Sequence, residues 1–138
     1  MTPAPPATIL YHRDCSFCRW SADRILAWDR GRLAAVPIQS EEGGRLLAPI
    51  PEGRRLDSWH LLTADGELHS AGEAAAPLAE LLPGGRPLAA LFRAFPGATE
   101  RSYRWVSSHR ERLARLLRID PACDVRPPSG GSATRRCC

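Results

Sequence analysis

Lysine is missing altogether: all 19 basic residues are arginine, set against 15 acids, for a formal charge of +4. With the many alanines, glycines and prolines, this reads as the codon usage of a GC-rich genome and not as a binding surface. The arginines are spread along the chain among the acids. Their clusters at 101–118 and in the tail read as solvated surface, so no nucleic-acid partner is expected. Long apolar runs are missing too. They reach only a few residues, as in Ala34-Ala35-Val36, far short of the ~18 that a membrane span needs. Residues 1–12 lack the basic and apolar regions of a signal peptide, so the expected compartment is the cytoplasm. Cysteine is sparse and odd in number: Cys15, Cys18, Cys123, Cys137 and Cys138. That excludes the disulfide framework of a small secreted domain. In a reducing compartment, a close cysteine pair reads instead as redox-active or metal-binding.

What is present suffices for one domain with one core. After a proline-rich lead-in, Ala7–Tyr11 favours a strand. Helical spacing follows from Asp14, with Phe17, Ile25, Leu26 and Trp28 apolar, and Gly31 as the expected stop. Leu33–Ile38 has strand length, completing a βαβ unit whose two strands run parallel. A short helix is expected over Glu41–Leu47. Ser58–Thr63 and Glu67–Ser70 read as strands joined at Asp65-Gly66, a strong hairpin signal. Helices are expected from Gly72 to Leu82, over Pro87–Phe95, and from a Thr99 cap to Leu117. In the last of these, Tyr103, Val106, Leu113, Leu116 and Leu117 share the inward face, while Arg101, Arg104, Arg112 and Arg115 face water. The domain is thus expected over residues 1–119, followed by a disordered Pro/Gly/Ser/Arg-rich tail over 120–138. A parallel βαβ unit followed by ββα, with a mixed central sheet and extra C-terminal helices, is the thioredoxin-like α/β arrangement.

The chemistry is expected at Asp14-Cys15-Ser16-Phe17-Cys18. Residues three apart at a helix start lie on one face, about 5 Å apart, which suits the Cα spacing of a disulfide. Free N–H groups and the helix dipole favour a thiolate there. Cys15, nearest those groups, is the expected nucleophile, and the more buried Cys18 the resolving thiol. Among five cysteines a bare C-x-x-C is modest evidence; its place at a strand-to-helix junction sharpens it. Two other readings stay open. The cysteines are structural and inert, or they bind zinc with help from His12, His60, His69, His109 or Cys123, none of which makes a second paired motif. Around the pair, Asp14 disfavours a thiolate, while Arg13, Arg19 and a protonated His12 favour it. His60, in mid-strand, reads as packed, and the four tryptophans as core or rim.

Tyr11-x-x-Asp14-Cys15-x-Phe17-Cys18, Asp57-Ser58-Trp59-His60-Leu61-Leu62, Asp65-Gly66, Gly72, Ala74, Pro96 and the Tyr103–Arg110 segment together resemble the DCC family of thiol–disulfide oxidoreductases. These are small bacterial proteins of thioredoxin-like fold, and the resemblance runs over about residues 8–117. It implies exchange between the Cys15/Cys18 dithiol and a disulfide-bearing protein or a small thiol, with no metal or organic cofactor. A non-catalytic thioredoxin-like binding module, holding a partner near Cys15, Phe17 and Trp59, is the alternative. The chain departs from the family at His12-Arg13, where Asp-Gly is usual. It also departs before the hairpin, where Leu56-Asp57-Ser58-Trp59 lacks the proline that thioredoxins place opposite their cysteines.

Overall fold

The structure is a computed structural model that describes residues 7–29 and 32–119. The expected tail, with Cys123, Cys137 and Cys138, lies outside the described residues, as does Gly31.

β1 (Ala7–Tyr11) is buried along its whole length. A strand covered on both faces needs apolar side chains at successive positions, and Ile9-Leu10-Tyr11 supplies them. It pairs in parallel with β2 (Leu33–Pro37), Ala7 opposite Leu33 and Tyr11 opposite Pro37. On its other side it runs antiparallel to β3 (His60–Leu62), with Ile9 opposite Leu61. β4 (Leu68–Ser70) completes the order β2-β1-β3-β4. The β3–β4 hairpin turns through Gly66, whose φ of +89° is the left-handed conformation that makes glycine the residue of choice there.

Alternation along β1 divides the core. Ile9 packs with Leu33, Leu61, Ala74, Leu78 and Leu82, on the side of α1 (Ser16–Trp28) and α3 (Ala75–Leu81). Leu10 packs with Ile38 and Leu47 on the opposite face, next to α2 (Glu41–Leu46). The Ser40 hydroxyl starts α2 by accepting the Gly43 N–H at 3.0 Å. At Gly43 a Cβ would lie 2.2 Å from the Pro37 carbonyl oxygen, so only glycine lets this helix sit so close to β2. Helices on both faces of a four-stranded mixed sheet match the expected thioredoxin-like arrangement.

Several boundaries differ from the expectation, each for a local reason. α1 stops at Trp28, and its C-cap is Asp29, not Gly31. The buried Asp29 carboxylate accepts both the Arg32 and Leu33 N–H groups at 2.7 Å, tying the helix end to β2. The helix expected from Gly72 opens as a 3-10 turn, Ala71–Ala74, before α3. α4 (Arg86–Ala94) falls where a helix was expected. The long last helix does not begin at Thr99. Pro96 takes its first position, where a missing N–H is harmless, and the Thr99 hydroxyl donates back to the Phe95 carbonyl at 2.8 Å. Nor is that helix continuous. α5 (Pro96–Ser108) ends at His109, and α6 (Arg110–Leu116) follows. His109 stacks on Trp105, ring centroids 4.6 Å apart, and its N–H is shared between the Trp105 and Val106 carbonyls, both at 3.1 Å. The break changes the helical phase. Leu116 and Leu117 are therefore exposed (72% and 50%), while Ala114 and Ile119 turn inward.

Candidate active site

Cys15 is not inside α1 but at its N-cap, with extended backbone (φ −99°, ψ 113°). Serine, threonine or aspartate normally fills this position, because a side-chain acceptor satisfies one of the free N–H groups of the first turn. Here sulfur does so: Cys15 Sγ accepts the Cys18 N–H at 3.3 Å. A thiolate accepts better than a thiol, and the positive end of a 13-residue helix favours negative charge. The first turn of α1 carries no acidic residue to compete for that end.

The two sulfurs meet as free thiols, both half-buried. The Cys18 thiol donates a hydrogen bond to Cys15, and this is the largest cause that lowers Cys15 from 9.0 to about 6. Burial works against the lowering. The Cys18 N–H and the charges of Arg110 and His12 add to it. Cys18 moves the opposite way, far up, because it is the donor to Cys15, because it is buried, and because it faces the Cys15 charge. Arg110 opposes that rise by its charge. One sulfur is thus poised as an anion and its neighbour held as a thiol.

The residues around the pair are arranged differently from the sequence expectation. Asp14 is exposed, and its N–H donates to His12 Nδ1 at 3.1 Å. Gln39 Nε2 lies 3.2 Å from the same nitrogen. Arg13 is exposed, its N–H bound to Gln39 Oε1 at 3.0 Å, and the Arg19 guanidinium donates to the Arg13 carbonyl. The Arg110 charge bears on both cysteines, and that of His12 on Cys15.

Beside Cys18 opens a cavity of about 280 Å³ between α1, the segment before β3, and α5–α6. Its wall is mainly apolar, including Phe17, Ile25, Leu56, Trp59 and Val106, with His12, three serines (Ser21, Ser58 and Ser107), Tyr103 and Arg110 as polar members. Phe17, between the cysteines, stacks on Trp20 at 5.9 Å. Burial raises the Tyr103 phenol, while a hydrogen bond from the Trp59 N–H and one with Ser107 oppose the rise. The Trp59 carbonyl accepts from the Ala71 N–H at 3.2 Å.

His60 is packed, as its mid-strand position implies. It is 2% exposed, Nε2 lies 2.8 Å from the Arg55 carbonyl, and Nδ1 lies 2.6 Å from Ser70 Oγ. Desolvation lowers its pKa, against the Arg55 carbonyl and Asp57, so the ring is held neutral. Trp28 and Trp105 are rim residues, 47% and 56% exposed. Among the described residues no three His, Cys, Asp or Glu side chains come together as a metal site requires; Cys123 is outside that set.

Arg110 is the site residue that the sequence reading missed. A signal was available. Tyr103, Val106 and Arg110 recur at the three- and four-residue spacing of one helix face, so a single arginine stands on the inward stripe of an otherwise arginine-studded surface.

No curated protein and no solved structure matches the chain. The family model of the DCC1-like thiol-disulfide oxidoreductases does match, over residues 9–116, a span that holds the cysteine pair, the sheet and the helix bearing Arg110. The chain belongs to the DCC1-like thiol-disulfide oxidoreductase family.

Proposed function

We propose that the protein reduces disulfides, with Cys15 as nucleophile and Cys18 as resolving thiol. The Cys15 thiolate attacks one sulfur of a substrate disulfide. A Cys15–substrate disulfide forms, and the other substrate sulfur leaves with the electron pair as a thiolate. Cys18 then loses its proton to water and attacks Cys15 Sγ. The second substrate sulfur leaves, and the protein keeps a Cys15–Cys18 disulfide. The substrate has gained two electrons and the protein has lost two. A dithiol protein or a small thiol, as a reducing compartment such as the cytoplasm holds, regenerates the dithiol.

The observation that carries this reading is the thiolate-accepting position of Cys15: its Sγ caps α1 by accepting the Cys18 N–H at 3.3 Å. An inert structural cysteine gains nothing from a lowered pKa, whereas a nucleophile that must be anionic near neutral pH does. Protein disulfides and small disulfides are both within this reading. The test is the rate of insulin or small-disulfide reduction by wild type and by Cys15→Ser under a fixed supply of reductant. The variant is expected to fall to background; equal rates would end the proposal.

A further inference from the structure

We infer that Arg110 is a catalytic residue of the second half-reaction, holding the Cys18 sulfur as it becomes an anion. The inference rests on the two-cysteine reading above and adds a group to it.

Arg110 sits at the junction of α5 and α6. It opens α6 immediately after the break at His109, and α6 packs on α1, the helix that carries Cys18. Arg110 and Cys18 line the same mainly apolar cavity, and the guanidinium charge acts on the Cys18 sulfur. Half-burying a guanidinium beside an apolar wall is unfavourable unless an anion or several acceptors compensate it. Among the described residues no carboxylate lies within ion-pairing distance of Arg110. Among the described residues, the groups beside Arg110 able to become anions are the cysteine pair and the Tyr103 phenol, and the cysteines are the ones that the exchange ionises.

The chemistry then separates two states. In the reduced protein Cys18 keeps its proton chiefly because Cys15 accepts it in a hydrogen bond and carries negative charge. Once Cys15 is joined to a substrate sulfur, that anion no longer exists, and both influences lapse. Burial still holds the proton on Cys18, and Arg110 still opposes burial. The groups facing Cys18 are then Cys15 as a disulfide, His12 after β1, Tyr103 on α5 and Arg110 on α6. Of these, Arg110 is the one permanent cation. The Cys18 proton leaves to water, the Cys18–Cys15 bond forms, and the Cys15–substrate bond breaks while Arg110 faces the developing charge.

The magnitude follows from thiol chemistry. Losing an adjacent opposite charge raises a pKa by about 1–2, and each step removes about tenfold of the thiolate at neutral pH. The more basic thiolate that remains is also the better nucleophile, which returns roughly half of that loss on a logarithmic scale. The expected slowing of resolution is therefore about three- to tenfold at pH 7.

The test uses the full chain with Cys123→Ser, Cys137→Ser and Cys138→Ser, mixed in stopped flow with one equivalent of 2,2′-dipyridyl disulfide. This probe is uncharged, so the charge of Arg110 does not steer it. It releases one coloured thiopyridone when Cys15 attacks, and a second, at a concentration-independent rate, when Cys18 resolves. In Arg110→Met the second release is expected to slow about three- to tenfold and its pH profile to move to higher pH, with a smaller change in the first. Arg110→Lys is expected to recover most of the rate. Circular dichroism checks the fold. Should Arg110→Met not fold, Arg110→Gln and the alkylation pH profile of Cys18 in a Cys15→Ser background make the same comparison. A second release unchanged in rate and pH profile, or both releases slowed alike, overturns the role of Arg110 and leaves the two-cysteine reading intact. A single thiopyridone from the protein with native Arg110 overturns that reading, and this inference with it.

Discussion

The sharpest prediction concerns the titration of Cys15. With a pKa of about 6, Cys15 is roughly 90% thiolate at pH 7, whereas a thiol at 9.0 is about 1% thiolate. The gain in rate is smaller than the gain in thiolate, because a less basic sulfur is a weaker nucleophile; a several-fold advantage at pH 7 is what remains. The pH profile is therefore the discriminating quantity. Iodoacetamide alkylation of the reduced protein, followed by mass spectrometry of the peptide carrying Cys15, is expected to reach half its plateau near pH 6. Replacing the largest contributor tests the cause. Cys18→Ala removes the thiol donor but keeps the N–H of residue 18, so the midpoint rises yet stays below 9.0. Stability carries the same sign. Cys15 holds its proton less tightly folded than unfolded, so its contribution to the reduced protein is full above the ordinary thiol value and lost as pH falls through about 6. Cys18 holds its proton more tightly in the fold. Its contribution is present below the ordinary thiol range and lost as pH rises through the raised value. A Cys15 midpoint at or above ~8.5, with slow alkylation, refutes the reasoning and favours a binding module with inert cysteines.

Other predictions bear on the frame of the site. His60 has a lowered pKa in the fold, so its contribution to stability is complete above the ordinary histidine value and lost as pH falls through the folded one. Denaturant midpoints measured as pH drops below ~6.5 are expected to decline, and His60→Leu, which leaves the Arg55 carbonyl without its donor, is expected to cost about 1–3 kcal/mol. No change in the midpoint would show His60 to be a spectator. Gly43→Ala drives a methyl into the Pro37 and Ile38 carbonyls, 2.2 and 2.8 Å from the Cβ position, and thermal unfolding is expected to show a loss of about 1–3 kcal/mol. Asp29→Ala unties α1 from β2 by leaving the Arg32 and Leu33 N–H groups without their acceptor. It is expected to lower stability by about 1–3 kcal/mol in urea titration without moving the Cys15 midpoint.

Much of this molecule is written in short-range pattern. Ile9-Leu10-Tyr11 needs two covered faces wherever it lies, Asp65-Gly66 turns a hairpin by its own backbone preference, and Cys15-x-x-Cys18 after a strand places two sulfurs in the first turn of a helix. Those local rules led to the element order and to the mixed sheet. Other features depend on partners distant in the chain. Whether a helix stops at Gly31 or Asp29 depends on the N–H groups of Arg32 and Leu33, at the entry to β2, meeting a carboxylate. Whether the last helix runs straight depends on His109 stacking on Trp105 and sharing its N–H between two carbonyls. That break decides which leucines are wet and sets where α6 begins. The electrostatics of the pair depend on the fold most of all. Arg110 lies some ninety residues from the pair in sequence, yet its charge reaches both sulfurs. Hydrogen bonding along a helix is local and can be read from residue order. Coulomb interaction depends on distance in space, and only the packing of α6 on α1 decided that.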